Sequence, residues 1–290
     1  MLTVLVNESV GRAAELRESL ERTPGIEVRA VAPEAVQPAV RRLVAEGATR
    51  VAIVGGDGTV AAAAACLAGT DVELAVIPGG TLNHFAADHG VPLEPARAAE
   101  VARSGERIAC VDVGRVNDRL TLNTSAVGAY SIFVRERERY ERRFSYRIAS
   151  LLAAFHTLLH LRPVRVELEV DGRARSYHTP LLFVGVGERE VRIPMLGSRV
   201  PGGRRGLHVL VARDRTAWGF LFMAFLGAMR GVREISRTRH LDAFLVERCR
   251  VHVHRRSVLA IDGELVTLSS PLDYRLVRDA LRVVVPADDG

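Results

Sequence analysis

The chain has 290 residues, 48% hydrophobic and 26% charged, ample for proper cores and ordinary for a soluble protein of one large or two smaller domains. Its formal charge is +6 and every basic side chain besides histidine is arginine, so a nucleotide, nucleic acid or anionic lipid surface would suit it as partner. The longest apolar run, 218–229, falls short of the roughly 20 residues a bilayer span needs, and no secretory signal opens the sequence. Cys66, Cys110 and Cys249 are scattered and lack metal-ligand spacing, as expected for inert thiols in a reducing compartment.

In chain order, residues 2–6 read as a buried strand, 13–20 as a helix, 26–31 as a strand and 36–45 as a helix. Residues 51–54 form the next apolar strand, followed by GGDGTV (55–60) and an alanine-rich helix over 61–67. A strand at 74–77 ends in PGGTLN (78–83); 95–104 reads as a helix and 108–113 as a strand. This alternation predicts a layered α/β domain with a mainly parallel sheet. Beyond residue 114 short apolar runs dominate, at 120–122, 164–170, 181–186, 207–211, 251–254, 258–261 and 281–285. Asp171-Gly172 and the 201–203 Pro-Gly-Gly separate some of them. The expected architecture is an N-terminal three-layer α/β domain, 1–114, followed by a β-sandwich-like domain, 115–290. Helical inserts are expected at 135–161 and 216–230.

Both glycine-rich segments, 55–59 and 79–83, follow strand C-termini, where open α/β sheets place ligands. Strand, glycine turn and helix together present backbone N–H groups to a phosphate. A carboxylate among them, Asp57, suggests a divalent cation between protein and phosphate. The plainer reading is that Asp57 caps a helix. A Walker loop is excluded by the absence of lysine, and a dinucleotide fingerprint by the missing third glycine.

Taken together, the motifs resemble the diacylglycerol kinase catalytic-domain family, which includes the sphingosine and ceramide kinases. The turn from Asn7 to Gly11, GGDGTV (55–60), PGGTLNHFA (78–86), VDVG (111–114), Asn123 with Val127-Gly128, and IDGE (261–264) occur in family order. The resemblance implies a Mg²⁺- and ATP-dependent transfer of the γ-phosphoryl group to a lipid hydroxyl, by a cytoplasmic enzyme at the inner face of the membrane. It also implies an active site in a cleft between the domains. Gly55, Gly56, Gly58, Thr59 and Thr81 would cradle the phosphates with Asn7, Gly11 and Asn83 nearby. Asp57 would hold Mg²⁺, supported by Asp112, and Glu264 would be the general base.

Some positions depart from the family pattern. Glu8 stands where proline is common, His84 replaces an aspartate, Val31-Ala32 occupies the place of a threonine, Val186 that of an asparagine, and 203–207 lacks its acidic residue. These departures keep alive a weakened nucleotide- or lipid-binding protein, alongside an NAD-kinase-like enzyme for a soluble alcohol, against which Thr81-Leu-Asn83 argues. Asp262-Gly263 could by itself be only a hairpin turn. The arginine/glutamate run 135–143 reads as a solvated helix that could touch anionic headgroups, and 218–229 as a core helix. His156, His160, His252 and His254 lack an obvious third zinc ligand, no DNA-recognition helix is present, and a homodimer is compatible with the sequence.

Overall fold

The computed structural model describes residues 1–11, 13–191, 196–200, 202–213, 241–253 and 256–287. They form two compact units, Met1–Val113 with Val277–Gly290, and Gly114–Leu276. The sequence-predicted helix at 216–230 lies outside the described residues.

The first unit alternates β1 (Leu2–Asn7), α1 (Ala13–Glu21), β2 (Ile26–Val31), α2 (Val36–Ala45), β3 (Arg50–Gly55), α3 (Asp57–Leu67) and β4 (Glu73–Pro78). Helices α4 (His84–Asp88) and α5 (Pro95–Ser104) precede β5 (Ile108–Val116), which runs on into the second unit. The sheet order β2-β1-β3-β4 is parallel throughout. Its inner strands are almost continuously apolar because both faces are covered: Val51, Ala52, Ile53 and Val54 are fully buried. Helix α2 turns Val36, Val40 and Leu43 inward at helical spacing and packs on α3, whose Ala63 and Ala64 allow close approach. Arg50 staples the start of β3: its guanidinium meets Glu73 at 2.8 Å and donates to the carbonyls of Ala102 and Gly105.

The second unit contains β6 (Arg119–Thr121), β7 (Thr124–Gly128), α6 (Ala129–Glu141), α7 (Tyr146–Leu159), β8 (Val164–Val170), β9 (Arg173–Thr179) and β10 (Leu181–Val186). A short ribbon of β11 (Arg189–Val191) and β12 (Leu196–Arg199) follows, then β13 (Leu207–Ala212), β14 (Leu241–Val246), β15 (Arg248–Val253), β16 (Ser257–Ile261), β17 (Glu264–Leu268) and β18 (Leu272–Val284). One antiparallel sheet has the order β14-β13-β10-β7-β16-β17. A second antiparallel layer is built from β9, β8, β15 and the start of β18. Between them Val166, Leu168, Val251 and Leu272 pack with Val127, Leu182, Val184 and Leu259, the two-layer core expected of a sandwich.

Several local expectations differ from the structure. Residues 277–290 lie with the first unit, whereas the sequence reading ran the second domain to the C-terminus. Strand β18 explains this. Its first part alternates Leu272 in, Asp273 out, Tyr274 in; its last part, from Ala280, is nearly continuously buried and pairs parallel with β4 through Arg282 and Val283. Only that last part carries the unbroken apolar signal, so the strand was expected from 281 rather than 272. The insert at 135–161 is two helices, α6 and α7, separated at residues 142–145. Strand β9 was unexpected because its sequence, RARSYHT, is almost wholly exposed.

Candidate active site

In the first unit the two glycine segments interlock. Gly55 pairs with Pro78 at the ends of β3 and β4, and the Gly79 N–H donates to the Gly55 carbonyl at 2.9 Å. A Cβ on Gly55 would fall 2.4 Å from the Thr59 side chain, and one on Gly80 would fall 2.5 Å from the Gly56 Cα. Neither position admits any larger residue without moving backbone or Thr59. Asn83 holds its loop from a left-handed conformation, φ 48°, accepting from the Gly80 N–H at 2.9 Å and donating to the Gly80 carbonyl at 2.8 Å.

Asp57 joins the segments. Its carboxylate oxygens accept the N–H groups of His84 at 3.1 Å and Phe85 at 2.9 Å, the opening turn of α4. Asp57 therefore does cap a helix, but α4 rather than the one it begins. Helix α3 starts at Asp57, so Gly58 and Thr59, expected as loop, are its first turn; Gly56 precedes it with no side-chain cap. That uncapped N-terminus, bounded by glycine, suits an anion. Asn7 reaches across from the end of β1, donating to the Thr59 hydroxyl at 2.7 Å while its carbonyl oxygen accepts the Ser9 N–H and hydroxyl. A Cβ on Gly11 would meet nothing within 4 Å, and Thr81 is exposed in the second loop.

Asp112 is buried on β5, and its Oδ1 accepts the Asp279 N–H at 2.9 Å, tying β5 to the end of β18. No group of three or more His, Cys, Asp or Glu suited to a metal occurs among the described residues. A Mg²⁺ at Asp57 would take its other ligands from phosphate oxygens and water, which is how such ions usually bind at phosphate sites.

In the second unit Asp262-Gly263 is a hairpin turn, as its sequence suggested, with φ of 47° and 86° between the paired residues Ile261 and Glu264. Asp171-Gly172 makes the same turn between β8 and β9, but Asp171 is exposed. Asp262 differs. Its carboxylate accepts the N–H groups of Leu122, Asn123 and Thr124 at 2.8–2.9 Å and the Thr121 hydroxyl at 3.0 Å. Its own N–H donates to the Thr124 carbonyl. Successive N–H groups that could bind an anion here hold one of the protein's own. Burial pushes the Asp262 carboxyl up from its ordinary range, and these four donors oppose the rise.

This grip fixes the tip from which Glu264 opens β17. Partial desolvation lifts the Glu264 carboxyl above the ordinary range although the residue stays open to solvent on one side, and the nearby carboxylates of Asp262 and then Glu138 lift it further, while Arg119 opposes. A carboxylate with raised proton affinity is a better proton acceptor than an ordinary glutamate. The structural role of Asp262 was missed from sequence, because an Asp-Gly hairpin looks alike whether or not its side chain is held.

The fold joins an α/β unit to a β unit, and sequence comparison gives the family. Residues 2–116 match the family described as the diacylglycerol kinase catalytic domain. The diacylglycerol kinase of Bacillus subtilis is 30% identical over 217 residues, 72% of this chain and 69% of that protein. The diacylglycerol kinase of Mycobacterium tuberculosis is 34% identical over 134 residues, 44% of this chain; the chain spans 43% of that relative's length. A crystal structure of a diacylglycerol kinase from Bacillus anthracis superposes with a TM-score of 0.72 over 98% of this chain and 96% of that one, at 18% identity, a likeness of fold. The chain belongs to the diacylglycerol kinase catalytic-domain family.

Proposed function

We propose that this protein is a lipid kinase that transfers the γ-phosphoryl group of ATP to a lipid hydroxyl, with diacylglycerol or a related lipid as acceptor. The observation that supports this most is the interlocked pair of glycine segments around Asp57, in a chain of this family. The first turn of α3, with Thr59 held by Asn7, would bind the phosphates, and Asp57 would help hold Mg²⁺. The cation, when bound, neutralises charge on the phosphate oxygens. Glu264 takes the proton from the acceptor hydroxyl as its oxygen forms the new P–O bond and the bond to the ADP leaving group breaks. The Asp262 nest is a positioning device for that carboxylate. Acceptor lipid would be drawn from a membrane surface; no helix among the described residues is long and apolar enough to cross one.

The test is transfer of radiolabelled γ-phosphate in the presence of Mg²⁺, with diacylglycerol, sphingosine, ceramide and a polyprenol offered in mixed micelles and NAD offered in solution. A labelled lipid is expected. A labelled soluble product alone would assign the protein to soluble-alcohol kinases, and ATP binding with no product would make it a binding protein.

A further inference from the structure

Helix α7 is built inside out. Its inward side carries small residues, Ala149, Ala153 and Thr157, all buried. Its large apolar residues face the other way: Ile148 is 48% exposed, Leu151 72%, Phe155 64% and Leu159 67%, with Leu152 beside them. At 100° per residue these five fall in one stripe about 100° wide. Packing among the described residues does not explain it, since it leaves these side chains exposed. A scattered exposed leucine needs no explanation; a continuous stripe marks an interaction surface.

The charge around the stripe selects its occupant. From residue 142 to 166 the chain has five arginines, at 142, 143, 147, 162 and 165, and no carboxylate. Arg142, Arg143, Arg147 and Arg162 are exposed and bracket the stripe at both ends. Of the three glutamates of neighbouring α6, two are engaged by its own arginines, Glu136 by Arg135 and Arg139 and Glu141 by Arg137, and the third, Glu138, is exposed, so the arginines at the ends of the stripe still outnumber it. A two-fold contact between copies would bring arginine ends together wherever the stripes lay antiparallel. An anionic bilayer offers acyl chains to the stripe and phosphate headgroups to both ends at once.

We propose that α7 docks on anionic membranes, lying in the interface with Leu151, Phe155 and Leu159 inserted and Arg142, Arg143 and Arg162 on headgroups. The proposal deepens the lipid-kinase reading and rests on it for its purpose, but its test uses no nucleotide, so the two fail separately. Flotation of the full chain with vesicles of phosphatidylcholine alone, or with about a third phosphatidylglycerol, measures it.

Wild type is expected to float with the anionic vesicles and far less with the neutral ones. The variant Leu151→Gln/Phe155→Gln should bind anionic vesicles at least about tenfold more weakly, with an unchanged circular dichroism melt. Arg142→Gln/Arg143→Gln should reduce the preference for anionic lipid. The proposal is overturned if wild type does not bind, if the Gln/Gln variant binds as well as wild type, or if wild type forms a dimer that this variant abolishes.

Discussion

Gly56 and Gly80 meet backbone to backbone: a Cβ on Gly80 would lie 2.5 Å from the Gly56 Cα, whereas a Cβ on Gly56 would lie 3.3 Å from the Gly80 Cα. The contact is therefore asymmetric. Gly80→Ala should force the two segments apart and weaken ATP binding by at least about tenfold, because one loop backbone must move. Gly56→Ala should cost much less. Calorimetric titration of ATP into both variants checks the ordering, and equal losses would show that the contact does not set the loop geometry.

Asp57 serves the fold as well as any cation, since it accepts two N–H groups at the start of α4. Asp57→Asn keeps one acceptor oxygen and turns an amide N–H₂ towards a donor. A loss of about 1–2 kcal/mol in urea unfolding is expected, with the fold retained and transfer abolished. Unaltered stability with abolished transfer would confine Asp57 to chemistry; near-normal turnover would remove its metal role.

Asp262 anchors the hairpin that carries Glu264. Asp262→Ala strands three backbone N–H groups, and a loss of about 3 kcal/mol is expected from chemical denaturation. Asp171→Ala, at the same turn type on an exposed hairpin, should change stability by less than about 0.5 kcal/mol. Equal effects would mean that the nest contributes nothing.

The raised proton affinity of Glu264 has consequences of opposite sign for activity and stability. As a base it works only when ionised, so the acid limb of kcat should lie above the ordinary glutamate range. For folding, a carboxyl whose native pKa exceeds its unfolded value contributes stability present below the unfolded pKa and lost as pH rises through the native one. Glu264→Gln should therefore be slightly more stable than wild type at neutral pH. The gain should be at most about 1 kcal/mol because the side chain is exposed, and should vanish at low pH. Thermal melts at pH 4 and pH 7.5 check it; a destabilised variant at neutral pH would reverse the sign.

The parts of this chain that were legible in its sequence are those whose signal is local. Residues 26–31, 36–45, 95–104, 164–170 and 181–186 have the bounds expected from their apolar pattern. Gly55 and Gly80 could be recognised as members of the two glycine-rich segments, but Gly80 could not be recognised as the partner of Gly56, since that pairing depends on two strand ends lying side by side. The same limit hid Asp279 from Asp112, 167 residues apart, and the four donors from Asp262, 138–141 residues away. The inverted face of α7 was not legible: 135–161 was expected only as a helical insert, and an apolar run does not say that Ala149 and Ala153 turn inward while Leu151 and Phe155 stay exposed.

The most direct measurement compares wild type with Glu264→Gln for transfer of labelled γ-phosphate to diacylglycerol micelles, with ATP affinity measured on the same samples. Wild type should label the lipid, and the variant should lose about 10²–10⁴-fold in kcat with ATP binding essentially unchanged. Undiminished turnover in the variant would contradict Glu264 as the base, and an unlabelled lipid with wild type would contradict diacylglycerol as the acceptor.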